Sequence, residues 1–193
     1  MESLVARKAP YFELEAVVDK EFQTLTLNDY KGKYLCLLFY PLDFTFVCPT
    51  ELHAFSDKID EFKSRGCEVL GVSVDSHFSH LAWLNTPKAD GGIEGLKFPL
   101  LSDLHKSMAR SYGTLFEDQG VAFRGLFLID KGGVVQHVTI NNLPLGRNVD
   151  ECIRVLDALQ FHEEHGEVCP ANWKPGAQGM KPSSDGLKKY FKS

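Results

Sequence analysis

The tract Tyr34-Leu-Cys-Leu-Leu-Phe-Tyr40 is a continuous apolar run that Pro41 closes. A run without polar alternation is the pattern of a strand covered on both faces, so the chain must supply packed layers above and below it. Similar runs over residues 68–74, 125–129 and 134–140 predict three more strands. Asp130-Lys131-Gly132-Gly133 separates the last two, and its glycines reach the positive φ of a tight hairpin turn, so these strands should pair antiparallel. Leu52, Phe55, Ile59 and Phe62 recur at three- and four-residue steps and predict one amphipathic helix ending near Gly66. Further helices are predicted over residues 79–85, 103–111 and 149–162, the last with Val149, Cys152, Ile153, Leu156 and Leu159 on one stripe. Strands alternating with helices, then a hairpin and a helix, indicate the α/β class: a mixed central sheet flanked by helices on both faces. After Gly166, the breakers Pro170, Pro175, Gly176, Gly179 and Pro182 exclude a packed regular element. The expected division is therefore one domain over residues 1–165 and an extended C-terminal arm over residues 166–193.

At 193 residues, 44% apolar and 24% charged, the chain suits a globular domain with a real core. Its net charge of −5 offers no global attraction to phosphate backbones or anionic membranes, so neither nucleic acid nor a membrane is an expected partner. No apolar stretch approaches the roughly 18 residues of a membrane span. The first residues carry Glu2, Arg7, Lys8 and Pro10 in place of a signal core, which makes a cytoplasmic location the expectation. The five cysteines are Cys36, Cys48, Cys67, Cys152 and Cys169. They are odd in number and contain no C-x-x-C pair, which speaks against a zinc cluster or a secreted disulfide scaffold. Chemistry then falls to individual thiols.

Cys48 stands out because Pro49 follows it. Proline favours the first helical position, which would make Cys48 the N-cap, its sulfur facing unpaired backbone N–H groups. A thiol with a pKa of about 8.5 is only ~3% ionised at pH 7, whereas one lowered to about 6 by a helix end or nearby cations is ~90% ionised. Glu51, one turn later, would oppose that ionisation, so a reactive Cys48 needs a cation. Arg124, at the start of the run 125–129, is the candidate; the alternative is a surface side chain with its stem laid along apolar neighbours. Cys36, Cys67 and Cys152 lie within apolar patterns and read as small core residues.

The segment Phe39-Tyr-Pro41-Leu-Asp-Phe-Thr45-Phe-Val-Cys48-Pro-Thr-Glu51 resembles the peroxiredoxins, whose signature is Pro-x-x-x-Thr/Ser-x-x-Cys. The segment His165-Gly-Glu-Val-Cys169-Pro-Ala-Asn-Trp173 is similar to the one carrying the second cysteine of the typical two-cysteine subgroup. The likeness covers nearly the whole chain. It implies a thioredoxin-like fold in which Cys48 is the peroxidatic nucleophile, Pro41 shields it from water, and Thr45 and Arg124 orient the peroxide oxygens. Glu51 would hold the arginine, and Arg147 resembles a second family arginine, its alternative being a solvated residue at a helix start. Cys169 would resolve the Cys48 sulfenic acid as a disulfide between subunits of a homodimer, and dimers of the subgroup often form decamers. The implied substrate is a hydroperoxide, the implied reductant thioredoxin or a similar dithiol protein, and no bound cofactor is required.

One departure from the subgroup is Gly91-Gly-Ile-Glu94-Gly95, where overoxidation-sensitive members carry Gly-Gly-Leu-Gly. There the loop, with the tail Tyr190-Phe191, slows the unfolding that disulfide formation needs. Glutamate tolerates positive φ poorly, so the loop is expected to pack differently. Two other readings compete. A thioredoxin-type disulfide oxidoreductase needs a second cysteine three residues after the first, where this chain has Glu51. A holdase or redox scaffold would bind unfolded clients on a ring-shaped oligomer.

Overall fold

The computed structural model describes residues 2–192 and divides into two compact units, one running to Arg147 and the other beginning at Asn148. The first unit opens on a hairpin, β1 (Glu13–Val18) and β2 (Glu21–Thr26), which turns at Asp19 and Lys20 with φ of 48° and 70°. Strand β3 (Tyr34–Phe39) follows and is buried along its whole length. Next come α1 (Val47–Asp57), α2 (Ile59–Ser64), β4 (Cys67–Ser73), α3 (His77–Leu84), β5 (Leu100–Ser102) and α4 (Ser107–Ser111). A two-stranded ladder of β6 (Leu115–Phe116) and β7 (Val121–Ala122) precedes the long hairpin of β8 (Arg124–Ile129) and β9 (Val135–Asn141).

Seven strands form one mixed sheet in the order β2-β1-β5-β4-β3-β8-β9, with β3, β4 and β5 parallel and the remaining pairs antiparallel. Alternation along β3 sorts its side chains. Leu35, Leu37 and Phe39 join Leu70, Val72, Phe127, Met108 and Tyr112 in one core cluster, while Cys36 and Leu38 point to the opposite face. The stripe Leu52, Phe55, Ile59 and Phe62 is buried as its spacing predicts, each residue at most 2% exposed. It runs over two helices, however, because the backbone leaves helical geometry at Lys58 (φ −98°, ψ 7°), whose N–H turns back to the Phe55 carbonyl. The helix expected over 103–111 is shorter for a different reason. Asp103 lies outside it and accepts from the N–H groups of Met108 and Ala109, so a side chain satisfies the helix start. The hairpin turn at Asp130–Gly133 is as expected, with Gly133 at φ 78°.

The second unit contains α5 (Val149–His165), capped by Asn148 and ended by Gly166 at φ 65°, and α6 (Ser184–Tyr190), capped by the Ser183 hydroxyl. Past residue 166 the chain is neither wholly irregular nor wholly unpacked: α6 forms but buries none of its residues, while the irregular segment before it packs on α5. Trp173 is 4% exposed and its ring packs tilted against that of Phe161 of α5 at 4.8 Å, and its carbonyl accepts from Arg154 Nη1 at 2.9 Å. Helix breakers bend this segment back on α5, and one buried indole holds it.

The Gly91–Gly95 loop also departs from expectation. The left-handed positions are Gly91 (φ 79°) and Gly95 (φ 82°), and Glu94 is not among the residues with positive φ, so the side chain brings no backbone penalty. Trp83 Nε1 donates to the Gly91 carbonyl at 2.9 Å, and a Cβ added at Gly92 would collide with the Thr86 carbonyl. At Gly91 an added Cβ meets open space and only the positive φ resists it. Gly91→Ala should therefore lower stability by roughly 1–2 kcal/mol, and Gly92→Ala by about 3 kcal/mol or more. Urea unfolding of the two variants tests this, and equal losses would contradict it.

Candidate active site

Cys48 is the second residue of α1, not its N-cap; Phe46 caps the helix and supplies no side-chain hydrogen bond. The expectation failed because the first four N–H groups of a helix all lack intrahelical acceptors, so proline is tolerated at the third position although it favours the first. The sulfur is enclosed, with Cys48 0% exposed.

Three charged side chains close around it. Arg124, the first residue of β8, donates from Nη1 to Glu51 Oε2 at 2.7 Å and to Cys48 Sγ at 3.5 Å, while its Nε reaches the Leu143 carbonyl at 2.6 Å. Arg147 donates from Nε and Nη2 to the two Glu51 oxygens at 2.7 and 2.9 Å. Its Nη1 ties the carbonyls of Phe39 and Gly125, at the ends of adjacent strands. The side chains of Arg124, Glu51 and Arg147 are only 4%, 3% and 2% exposed, so the surface readings of both arginines give way to a buried cluster. Burial pushes the Glu51 carboxyl up, but the hydrogen bonds and charge of Arg147, aided by Arg124, outweigh it and hold the group below the usual range. Two cations and one anion leave a net positive charge beside the sulfur.

The turn between β3 and α1 forms the mouth. Pro41 is buried, Thr45 is half-buried with its hydroxyl donating to the Leu42 carbonyl at 3.0 Å, and Phe44 lies at φ 52° with its ring 5.7 Å from that of Trp83. A pocket of about 400 Å³ opens there, lined by Pro41, Thr45, Val47, Arg124, Leu143 and Pro144 among others. Cys48, Thr45, Pro41, Arg124, Glu51 and Arg147 thus come together in the first unit. Sequence reasoning missed Tyr40, Asp43 and His80, which brace this turn from behind. The available signal was His80 itself, a polar residue in line with Trp83 and Leu84 on the buried stripe of α3.

Cys169 lies in the second unit, half-buried, its Sγ donating to the Ala158 carbonyl at 3.4 Å. Burial raises its thiol pKa, against the charge of Arg154. Cys36, Cys67 and Cys152 are buried, as their apolar settings indicate. Among the described residues no group of three or more His, Cys, Asp and Glu side chains could hold a metal ion, and no helix is long and apolar enough to cross a membrane.

Comparison with known proteins gives this geometry a family. The AhpC/TSA family model matches residues 5–138, and the model of the C-terminal domain of 1-Cys peroxiredoxin matches residues 158–193. Peroxiredoxin-2 of Mus musculus is 56% identical over 187 residues, 97% of this chain and 94% of that protein. Thioredoxin peroxidase of Echinococcus granulosus is 53% identical with both chains fully covered. The crystal structure of the reduced 2-Cys peroxiredoxin of Plasmodium vivax superposes with a TM-score of 0.97 at 49% identity, covering 100% of both chains. The chain belongs to the AhpC/TSA family, the peroxiredoxins, and its fold is thioredoxin-like.

Removing the one anion of the cluster leaves two guanidinium groups facing each other without water. Glu51→Gln should lower stability by about 3–5 kcal/mol, a fall in Tm of roughly 10 °C for a chain this size. Because the Glu51 pKa is depressed, its contribution is fully present above the ordinary carboxylate pKa and is lost as pH falls through the folded value. Calorimetry should therefore show the gap between wild type and Glu51→Gln narrowing in acid. A gap that is constant with pH would contradict this.

Proposed function

We infer that this peroxiredoxin is a thiol peroxidase whose nucleophile is Cys48. The observation that carries the reading is the hydrogen bond from Arg124 Nη1 to Cys48 Sγ within a cluster of two arginines and one glutamate. Glu51 balances one guanidinium, and the other positive charge is balanced when the sulfur is a thiolate. The thiolate attacks one oxygen of a hydroperoxide; an S–O bond forms, the O–O bond breaks, and the electron pair leaves on the second oxygen. The sulfur becomes a sulfenic acid, and a proton converts the departing oxygen into water or an alcohol. Negative charge grows on that oxygen in the transition state, where the Arg124 guanidinium and the Thr45 hydroxyl can meet it. Pro41 keeps water from the sulfur, and Arg147 holds Glu51 and through it Arg124.

Cys169 completes the cycle in this proposal. Its sulfur displaces the sulfenic hydroxyl, which leaves as water, and the product is a disulfide between the subunits of a homodimer; assembly into decamers belongs to the same reading. The arm over residues 166–193 is then a functional segment attached to the domain over residues 1–165. The relatives named thioredoxin peroxidase and thioredoxin-dependent peroxide reductase support thioredoxin as the reductant, whose dithiol is oxidised as the two cysteines are regenerated. We keep a cytoplasmic location as part of the proposal, although a mitochondrial protein is also among the relatives. A thioredoxin-type oxidoreductase is not favoured, because Glu51 occupies the position of its second cysteine and is committed to two arginines. A holdase role is not needed to account for the site.

Hydrogen peroxide consumption with thioredoxin and its reductase tests the nucleophile: Cys48→Ser should abolish it, and a rate equal to wild type would remove the assignment. Cys169→Ser should lose the covalent dimer seen on non-reducing gels after a single peroxide pulse. A dimer that persists through Cys48 would point to a different partner thiol.

A further inference from the structure

Directly behind the turn that carries Pro41 and Thr45 lies a buried polar cluster that the proposed chemistry does not use. His80 and Tyr40 are 0% exposed, and the Asp43 side chain is 1% exposed. Asp43 Oδ1 accepts from the Tyr40 hydroxyl at 2.8 Å. Its Oδ2 accepts from the Ser79 hydroxyl and meets His80 Nδ1, each at 2.8 Å. His80 Nε2 lies 3.1 Å from the Leu101 carbonyl. The Asp43 N–H donates to Asp75 Oδ2 at 2.8 Å, and that oxygen also accepts from the Ser73 hydroxyl at 2.7 Å.

The partners place the hydrogens. A carbonyl only accepts, so Nε2 carries hydrogen. A hydrogen is shared between Nδ1 and Oδ2, 2.8 Å apart, and the Tyr40 hydroxyl lies 3.5 Å from the same Nδ1. Each polar atom of the cluster then has a partner, which is the condition under which a buried polar network rigidifies its surroundings. The turn requires such rigidity. Phe44, next to Asp43, is a bulky residue in the left-handed region, a conformation that persists only where neighbours impose it. Asp43 is held through both its backbone and its side chain, between the two residues that line the pocket mouth.

We propose that the Asp43–His80 pair, with Tyr40 and Ser79, is a positioning device for the peroxide reaction. It acts through Pro41 and Thr45, setting them against Cys48 and Arg124, and does not itself touch the substrate. The inference rests on Cys48 being the peroxidatic sulfur. Asp43→Asn preserves every link: the amide oxygen accepts from Tyr40, and the amide N–H donates to Nδ1 of neutral His80 while Ser79 turns to accept. Asp43→Ala removes these side-chain links and keeps only the backbone N–H to Asp75.

The test compares two reactions of the same sulfur in the full chain. These are the second-order reaction with hydrogen peroxide, followed by stopped flow, and alkylation by iodoacetamide, followed on the Cys48 peptide by mass spectrometry. Alkylation needs the sulfur but not the aligned Thr45 and Pro41. Asp43→Ala should slow the peroxide reaction at least about tenfold while alkylation stays within about twofold, and Asp43→Asn should stay within about threefold of wild type in both. If Asp43→Ala does not fold, Asp43→Leu, which fills the volume without charge, takes its place with the same expectation. An unchanged peroxide rate, or equal falls in both reactions, overturns the proposal. A chain that folds as Asp43→Asn but as neither Asp43→Ala nor Asp43→Leu assigns the cluster to stability alone and overturns it too. A wild type no faster with peroxide than Cys48→Ser would instead sink the peroxidase reading beneath it.

Discussion

Two arginines and a glutamate taken out of water together set the terms for the rest of the molecule. Each ion alone would bear a desolvation penalty of several kcal/mol, so the cluster exists only because the fold delivers its members with matched geometry. Glu51 comes from the first helix, Arg124 from the start of a core strand and Arg147 from the end of the first unit, where it also binds the carbonyls of Phe39 and Gly125. The planar guanidinium suits this task because it can divide its donors between a carboxylate, backbone carbonyls and a sulfur, which a lysine ammonium cannot do in fixed directions. The parallel core of the sheet is thereby connected to the chemistry: the strand ends that Arg147 links are those from which the catalytic turn and Arg124 depart.

The same region combines rigid and yielding parts. The turn is braced by the Asp43 network and by the tilted contact of the Phe44 ring with Trp83, whereas the first turn of α1 has little to hold it. Its N-cap, Phe46, accepts no hydrogen bond through a side chain, it has no acidic residue, and Pro49 lacks an N–H. Capping side chains contribute about 1 kcal/mol, so a helix start without one is among the segments that open at low free energy. A sulfur that is 0% exposed can reach another sulfur only if that turn unwinds. Rigidity where peroxide is aligned and weakness where the disulfide must form are thus separated by a few residues.

Much of this was readable from residue order, for reasons that also explain what was not. Continuous apolar runs marked β3, β4 and β8, since strands buried on both faces leave no polar gaps, and the Asp130–Gly133 turn marked the half-buried edge strand β9 as the partner of β8. β1 and β2 escaped because the hairpin carries acids and other exposed residues, with Ala16 and Val17 the buried positions. β5 is three residues long and carries no periodicity. The stripe of four apolar residues gave the helical face but not the break at Lys58, because both helices bury the same side. The resemblance to the peroxiredoxin signature named Pro41, Thr45 and Cys48, and Arg124 stood out as a cation at the start of an apolar run. The bracing of the turn was invisible, because Asp43 and His80 are 37 residues apart and meet only through the sheet.

Charge balance also changes with the chemical step. With the thiolate in place, the anions Cys48 and Glu51 match the cations Arg124 and Arg147. Transfer of an oxygen converts the sulfur to a neutral sulfenic acid, and the negative charge departs with the leaving oxygen. The buried cluster then holds one uncompensated guanidinium charge, a state that costs several kcal/mol relative to a paired one. Arg124 lines the pocket of about 400 Å³ at the mouth, so water or an anion can meet the guanidinium there. The oxidised cluster is therefore less well balanced than the reduced one, and reduction, by restoring the anion, restores the match of two cations to two anions.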